Sequence, residues 1–481
     1  MVQKKNKGRL FAIIIFGITS TLYILSQPCP SYYNWLCLIP LTYTIVNIAF
    51  GFIYSDKSIF NIFATMFNGI MFLRAVIMPV LLAAGGYVTS KTVNIEINMP
   101  RAILLFCYEM FFEYIAVKIM TTNRPLLLDD DVEGKIDLSH NYFSVIALLS
   151  VGCLLCLALA PMAVGYYRTI FGITDFEYTG FDSRDLISEY ATSLPRKFGL
   201  ITFRYFANVL RVVLPGIIII VLRRKNVSKN TARIVTVLCI FVADFLLVDD
   251  TIATSLVNAL ITLLFYNKMF SNPKRLIYYF LYAMLGIIAY FTLRITLTNA
   301  MSNNVGVGIV TRISNILQAY FCGINNISAG LNLYTSSLFE TYKYAIYEVL
   351  KGIPYASTIF GLDSTNIATL FNSVNHCTGQ IVPTLASGTL YLTWLFAPLY
   401  CVLFLYISYK SAWSTQTSQK PLGILASITI SVYAMMGISM YSPEATWAFI
   451  FCIGVPIKIL SILFEKDRFD KRAKRYKINV L

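Results

Sequence analysis

Apolar stretches long enough to cross ~30 Å of hydrocarbon recur from one end of the chain to the other, parted by short polar stretches in which the charges collect. Each stretch predicts one transmembrane helix. Twelve are expected, over residues 10–26, 34–54, 59–84, 102–120, 142–164, 200–222, 234–248, 251–266, 276–298, 390–408, 421–440 and 447–464. An even number puts both termini on the same side. The pair that meets at Val248, Asp249 and Asp250 is short on each flank and reads either as two helices or as one interrupted element. The expected fold is an all-α integral membrane protein, a polytopic bundle of about twelve transmembrane helices forming a single membrane domain over residues 1–481. A large extracytoplasmic loop separates the ninth helix from the tenth.

Composition supports this pattern. The chain is 57% hydrophobic and 13% charged, against about 25% charged in soluble domains, and its mean hydropathy is +0.66. The net charge of +15 would suggest a polyanionic partner if the basic residues were spread evenly, but they gather in alternate loops. One set holds Lys4, Lys5, Lys7 and Arg9, then Arg223, Arg224, Lys225 and Lys229, then Lys268, Lys274 and Arg275, and finally the tail from Lys466 to Lys477. Positive residues in short loops are retained in the cytoplasm, so these loops and both termini are expected there. Contact with anionic lipid heads accounts for the excess charge, and nucleic-acid binding is not expected. The first span follows a basic start, as in a signal peptide, but lacks a small-residue cleavage site and is expected to stay as an anchor.

Two outward segments, 167–199 and 299–388, are too long to be simple turns. In the second, Tyr342, Ala345, Ile346, Val349 and Leu350 fall at helical spacing, which predicts short amphipathic helices at the membrane surface. Cys322 and Cys377 share this segment, so a disulfide between them is permitted. Cys153 and Cys156 lie inside an apolar span without further metal ligands near them, and read as packing residues.

Ionisable groups within spans are costly and mark partners, cavities or substrate paths. Arg204 and Arg211 are seven residues apart, hence on one helix face two turns apart, and Arg294 is near the outer end of the ninth span. Together they can clamp phosphate oxygens, since guanidinium stays charged and bonds in a fork. The alternative is that each pairs with a buried acid, as Asp244 can with Arg211. Arg74 is at a depth that suits Glu109 and Glu113, four apart on the next helix, and that trio reads as an internal ion-pair set. Of two histidines, His376 is at the far end of the large outward segment, where it can accept a hydroxyl proton. Asp175, Glu177, Asp249, Asp250 and Asp363 are rival bases. No phosphate loop, dinucleotide-binding glycine pattern, zinc-ligand set or nucleophile elbow occurs. Chemistry is therefore expected at the outer membrane surface with no cofactor and no metal, on a substrate already activated and lipid-bound.

The stretch Arg312 to Gly323, RISNILQAYFCG, and the stretch GQIVPTLASGTLYLTWLFAPLY beginning at Gly379 carry a resemblance. With the overall layout, they are similar to the O-antigen and capsule repeat-unit polymerase family, multi-spanning glycan polymerases of the bacterial cytoplasmic membrane. Arg168 is followed by a glycine at Gly180, one residue beyond the family spacing. Val248-Asp249-Asp250-Thr251 stands where many relatives carry a small-residue and arginine turn. The resemblance implies a metal-independent glycosyl transfer between undecaprenyl-diphosphate-linked oligosaccharide repeat units, alongside a flippase and a chain-length regulator. It implies that Arg168, Arg204, Arg211, Arg294 and Arg312 face the leaving diphosphate or the glycan. It further implies that an acid or His376 takes the acceptor proton, and that Tyr320, Phe321 and Tyr334 offer stacking faces. An O-antigen ligase and a lipid-linked glycan flippase or other secondary transporter are the alternatives.

Overall fold

The computed structural model of the protein describes residues 2–50, 62–88, 95–123, 136–161, 193–246, 252–270, 308–362, 366–377 and 380–465. Helices and turns dominate these residues, which contain no β-strand. A helix pairs its backbone groups within itself, as a chain in hydrocarbon must. In chain order the helices are α1 Val2–Ser26, α2 Leu38–Ala49, α3 Ile62–Ala84, α4 Met99–Asn123, α5 Phe143–Leu159, α6 Leu194–Arg224, α7 Lys229–Ile240, α8 Ile252–Phe270, α9 Ile309–Tyr320 and α10 Ile324–Gly330. They continue with α11 Leu338–Leu350, α12 Ala356–Ile359, α13 Ile367–Val374, α14 Thr384–Phe396, α15 Pro398–Thr417, α16 Pro421–Met436 and α17 Pro443–Phe464.

Among the described residues α3, α6 and α17 are each long and apolar enough to cross a membrane, and α14 with α15 makes a fourth candidate in two pieces. The protein is thus a helical, membrane-embedded chain. The expected span 276–298 lies outside the described residues. The expected span 390–408 falls across a break: the chain turns by 113° between α14 and α15. Thr393 leaves helical geometry at φ 66°, and Pro398 opens the second helix, where its missing N–H costs nothing. Gly388 lets the backbone come against the Ala397 carbonyl, where a side chain would collide. Tyr108 of α4 donates its hydroxyl to the Leu395 carbonyl at 3.0 Å and stacks its ring on Trp394 at 5.5 Å, so the break is held by α4.

The chain forms two compact units. The first comprises residues 1–131, 273–413 and 430–451. In it, the short helices α10 and α13 are tied to one another and to the ends of longer ones by side-chain amides. Asn98 donates to Asn332 at 2.8 Å, Asn332 to Asn375 at 2.8 Å, and Asn375 to the Ala329 carbonyl at 3.1 Å. Tyr33 donates to Asn325 at 2.7 Å and Ser328 to the Ile95 carbonyl at 2.6 Å. Helix α11 starts at Ser337, whose hydroxyl accepts from Glu340 N–H, while the Glu340 carboxylate accepts from Ser336 N–H and hydroxyl. These bonds hold the Glu340 carboxyl below its usual range.

The second unit comprises residues 132–272, 414–429 and 452–481. Helix α5 lies along α6, and Gly199 allows the approach, since a side chain there would meet Leu159 and Ala160. Cys153 and Cys156 pack with Ala160, Leu200 and Phe203 in the buried seam, which is the packing role expected of them. At the other end of this unit Glu465 is fully buried and satisfied. It accepts from Tyr142 at 2.7 Å, from Leu422 and Gly423 N–H at 2.9 and 3.2 Å, and from Ser461 at 2.7 Å. The two backbone donors belong to the buried first turn of α16, whose partial positive charge favours a carboxylate.

Candidate functional site

The residues singled out in the sequence are distributed over both units. Arg204 and Arg211 lie on α6 in the second unit. Arg204 is half-buried, whereas Arg211 is buried and donates to Ser255 at 2.8 Å. The side chain of Asp244, the acid expected to pair with Arg211, lies outside the described residues. So do Arg168, Arg294, Asp175, Glu177, Asp249, Asp250 and Asp363. In the first unit, Arg312 and Tyr320 are half-buried on α9, and Tyr334 is exposed between α10 and α11. Phe321 is buried and has no open stacking face; it closes α9 as the helix turns inward.

His376 is exposed and has φ 49°. It occupies the position just beyond α13 where a helix is closed by a left-handed residue, with His376 N–H bonded to Ser373 O at 3.3 Å and Cys377 N–H to Asn372 O at 3.0 Å. Cys322, at φ 45°, closes α9 in the same way, with Gly323 N–H on Gln318 O at 2.9 Å. Both Cys322 and Cys377 are free thiols. The permitted disulfide is therefore not formed, and burial pushes the Cys322 thiol up to about 12, which leaves it unreactive.

Two polar clusters inside the first unit meet at the broken helix. The first has Arg74 at its centre. The backbone of α3 makes one wide turn over Leu73–Ile77, a local irregularity of the kind that re-aims a side chain. Arg74 forms a two-pronged ion pair with Glu109, Nη1 to Oε1 at 3.3 Å and Nη2 to Oε2 at 3.4 Å, and lies 4.5 Å over the Phe106 ring. The expected pairing of Arg74 with α4 is therefore present. Glu113, one turn along α4, is fully buried, and its carboxyl oxygens meet no donor group, lying instead against the Glu109 carboxyl. The Cys401 thiol on α15 completes the cluster, with donor atoms of Glu109, Glu113 and Cys401 all within 4.8 Å of one another. On the other flank of Arg74, Met78, Phe106, Gln318, Cys322 and Ile327 help to line a small cavity with room for about one water molecule.

The second cluster surrounds Glu348 of α11, only 2% exposed. Tyr400, next in sequence to Cys401, donates its hydroxyl to Glu348 Oε2 at 2.8 Å, and Trp447 Nε1 donates to Tyr400 at 3.4 Å. Glu348 Oε1, the Tyr391 hydroxyl and the Ser387 hydroxyl are buried without a hydrogen bond of good geometry. Burial raises the Glu348 carboxyl to about 8 against the pull of the Tyr400 hydrogen bond, and the charge of Glu444 raises it further. Burial thus favours the protonated form of Glu348 at neutral pH.

Sequence reasoning missed Glu348, Tyr391, Tyr400, Cys401 and Trp447. A signal for Glu348 was present: it is the lone acid in the final turn of α11, among Tyr344, Ala345, Ile346, Tyr347, Val349 and Leu350. Of the apolar stripe expected on α11, Tyr342 and Ile346 are exposed, and the buried face is Thr341, Tyr344 and Glu348. No protein-family model, no curated protein and no solved structure matches this chain.

Proposed function

We propose that the protein is a polymerase of lipid-linked oligosaccharide repeat units. It would act at the outer face of a bacterial cytoplasmic membrane, with about twelve spans and both termini in the cytoplasm. The donor is a growing chain on undecaprenyl diphosphate, the acceptor a hydroxyl of a new lipid-linked unit, and the transfer uses no metal. Glu348 carries this reading. A transfer between preactivated lipid-linked sugars needs a group that takes the acceptor proton, and Glu348, raised to about 8 by burial, would do so in its ionised fraction, in the segment that also holds Arg312 and Tyr334. Arg312 supplies positive charge for the leaving diphosphate. The exposed Leu338, Phe339, Tyr342 and Ile346 on α11 suit contact with the bilayer surface, beside lipid-borne substrates.

A second reading, transport of the lipid-linked unit, is favoured by one observation: a broken helix with buried ionisable groups at its bend is a common substrate or ion site in transporters. Deleting the gene and displaying the surface glycan on a gel separates the two. Loss of the long-chain ladder, with single repeat units still reaching the surface, supports polymerisation. Repeat units trapped on their lipid inside the cell support transport. Complementation with Glu348→Gln is expected to leave the ladder absent while the protein remains abundant in the membrane.

A further inference from the structure

We infer that Glu109, Glu113 and Cys401 form a site for one borderline-soft divalent cation, of the zinc or cobalt class, which clamps the first turn of α15 to α4. The three side chains are buried and their donor atoms lie within 4.8 Å of one another. Glu113 is the independent pointer to a ligand, because its two buried oxygens meet no donor group and lie against the carboxyl of Glu109. An unpaired buried carboxylate is among the most costly groups a fold can hold. One guanidinium serves two carboxylates here, and it serves Glu109 at 3.3 and 3.4 Å, well beyond the ~2.7–2.9 Å of a tight charge-assisted bond. Coordinating capacity is therefore left on both glutamates.

The donor types select the cation. Calcium and magnesium take oxygen ligands, whereas a thiolate beside carboxylates suits zinc or cobalt, with three protein ligands and a fourth position open to water. Metal–oxygen bonds of about 2.1 Å and metal–sulfur bonds of about 2.3 Å put tetrahedral donors about 3.5 Å apart. Closing the present separations by about 1 Å is within the reach of two glutamate side chains. Charge closes as well: a divalent cation together with Arg74 balances two carboxylates and a thiolate in a buried site. The clamp joins α4 to α15 just after the 113° turn, on the side of the break opposite the Tyr108 bond to Leu395. It would thereby fix the direction in which Tyr400 is presented to Glu348.

The test uses the full-length protein in detergent, freed of its purification tag, stripped with a chelator and titrated with Co²⁺. One equivalent is expected to bind with a sulfur-to-cobalt charge-transfer band and to raise the thermal midpoint. Cys401→Ser should abolish the band, and Glu113→Gln should weaken binding at least tenfold while the protein stays monodisperse and helical. Absence of a one-equivalent band in the folded wild type overturns the site and leaves a proton shared between the glutamates as its content. A band that survives Cys401→Ser, or Glu113→Gln binding as tightly as wild type, overturns it too. No glycan is measured, so failure here is distinct from failure of the polymerase reading, on which this inference does not rest.

Discussion

Replacing Glu348 by glutamine gives the most direct view of the energetics around the broken helix. In the unfolded chain the carboxyl loses its proton near its ordinary 4.5, and in the folded protein near 8. Between those values the folded state binds a proton that the unfolded state has released. The stabilisation is therefore complete below pH 4.5, falls as pH rises, and levels off above 8. The slope is about 1.4 kcal/mol per pH unit, so the whole interval amounts to roughly 5 kcal/mol. Glutamine keeps the shape of the protonated acid and does not titrate. The assay is the thermal midpoint of purified protein in one detergent, followed by tryptophan fluorescence from pH 5 to 9. Wild type and Glu348→Gln should melt close together at pH 5. The wild type should then fall progressively below the variant up to about pH 8, and the gap should stay constant beyond. Parallel curves across the range would refute both the proton on Glu348 and its assignment as the acid–base group.

Two further substitutions test neighbouring claims. His376→Gly relieves a left-handed backbone position and is expected to stabilise by about 0.5–1 kcal/mol relative to His376→Ala, measured by denaturation in detergent. If His376→Gly also supports polymer in cells, the histidine is a helix terminator rather than the base. Arg74→Met leaves two buried carboxylates with no counter-charge and is expected to cost about 3–5 kcal/mol, of which the double variant with Glu109→Gln recovers a measurable part. Equal melting of the single and double variants would mean that Arg74 and Glu109 are not coupled.

The Arg74–Glu109 pair was legible in the sequence because ionisable residues within apolar spans have few ways to be satisfied, and matching depth on successive helices narrows the choice further. The bend between α14 and α15 was not, because hydropathy averages over Thr393 and Pro398 and records only that their neighbours are apolar. Cys322 and His376 drew chemical attention although their backbones end helices; glycine in either place would have announced the turn. Glu348 was hidden by a rule carried over from soluble proteins. On α11 Tyr342 and Ile346 face outward, as they can where the surroundings are themselves apolar, and the polar face of the helix is the one that packs inward. In such a protein a buried acid on the less apolar face of a short helix is the feature to look for.

Glu465 sets an order of events for making the protein. Its partner Tyr142 is 323 residues upstream, so at translation rates of about 5–20 residues per second the hydroxyl waits on the order of tens of seconds for its acceptor. The N–H groups of Leu422 and Gly423 emerge much later but still ahead of it. The second unit is completed only when the last turn of α17 delivers one carboxylate to four donors at once. Quality control that acts during synthesis therefore meets an unfinished half, and a ribosome stalled before codon 465 releases a chain that lacks the group on which that half converges.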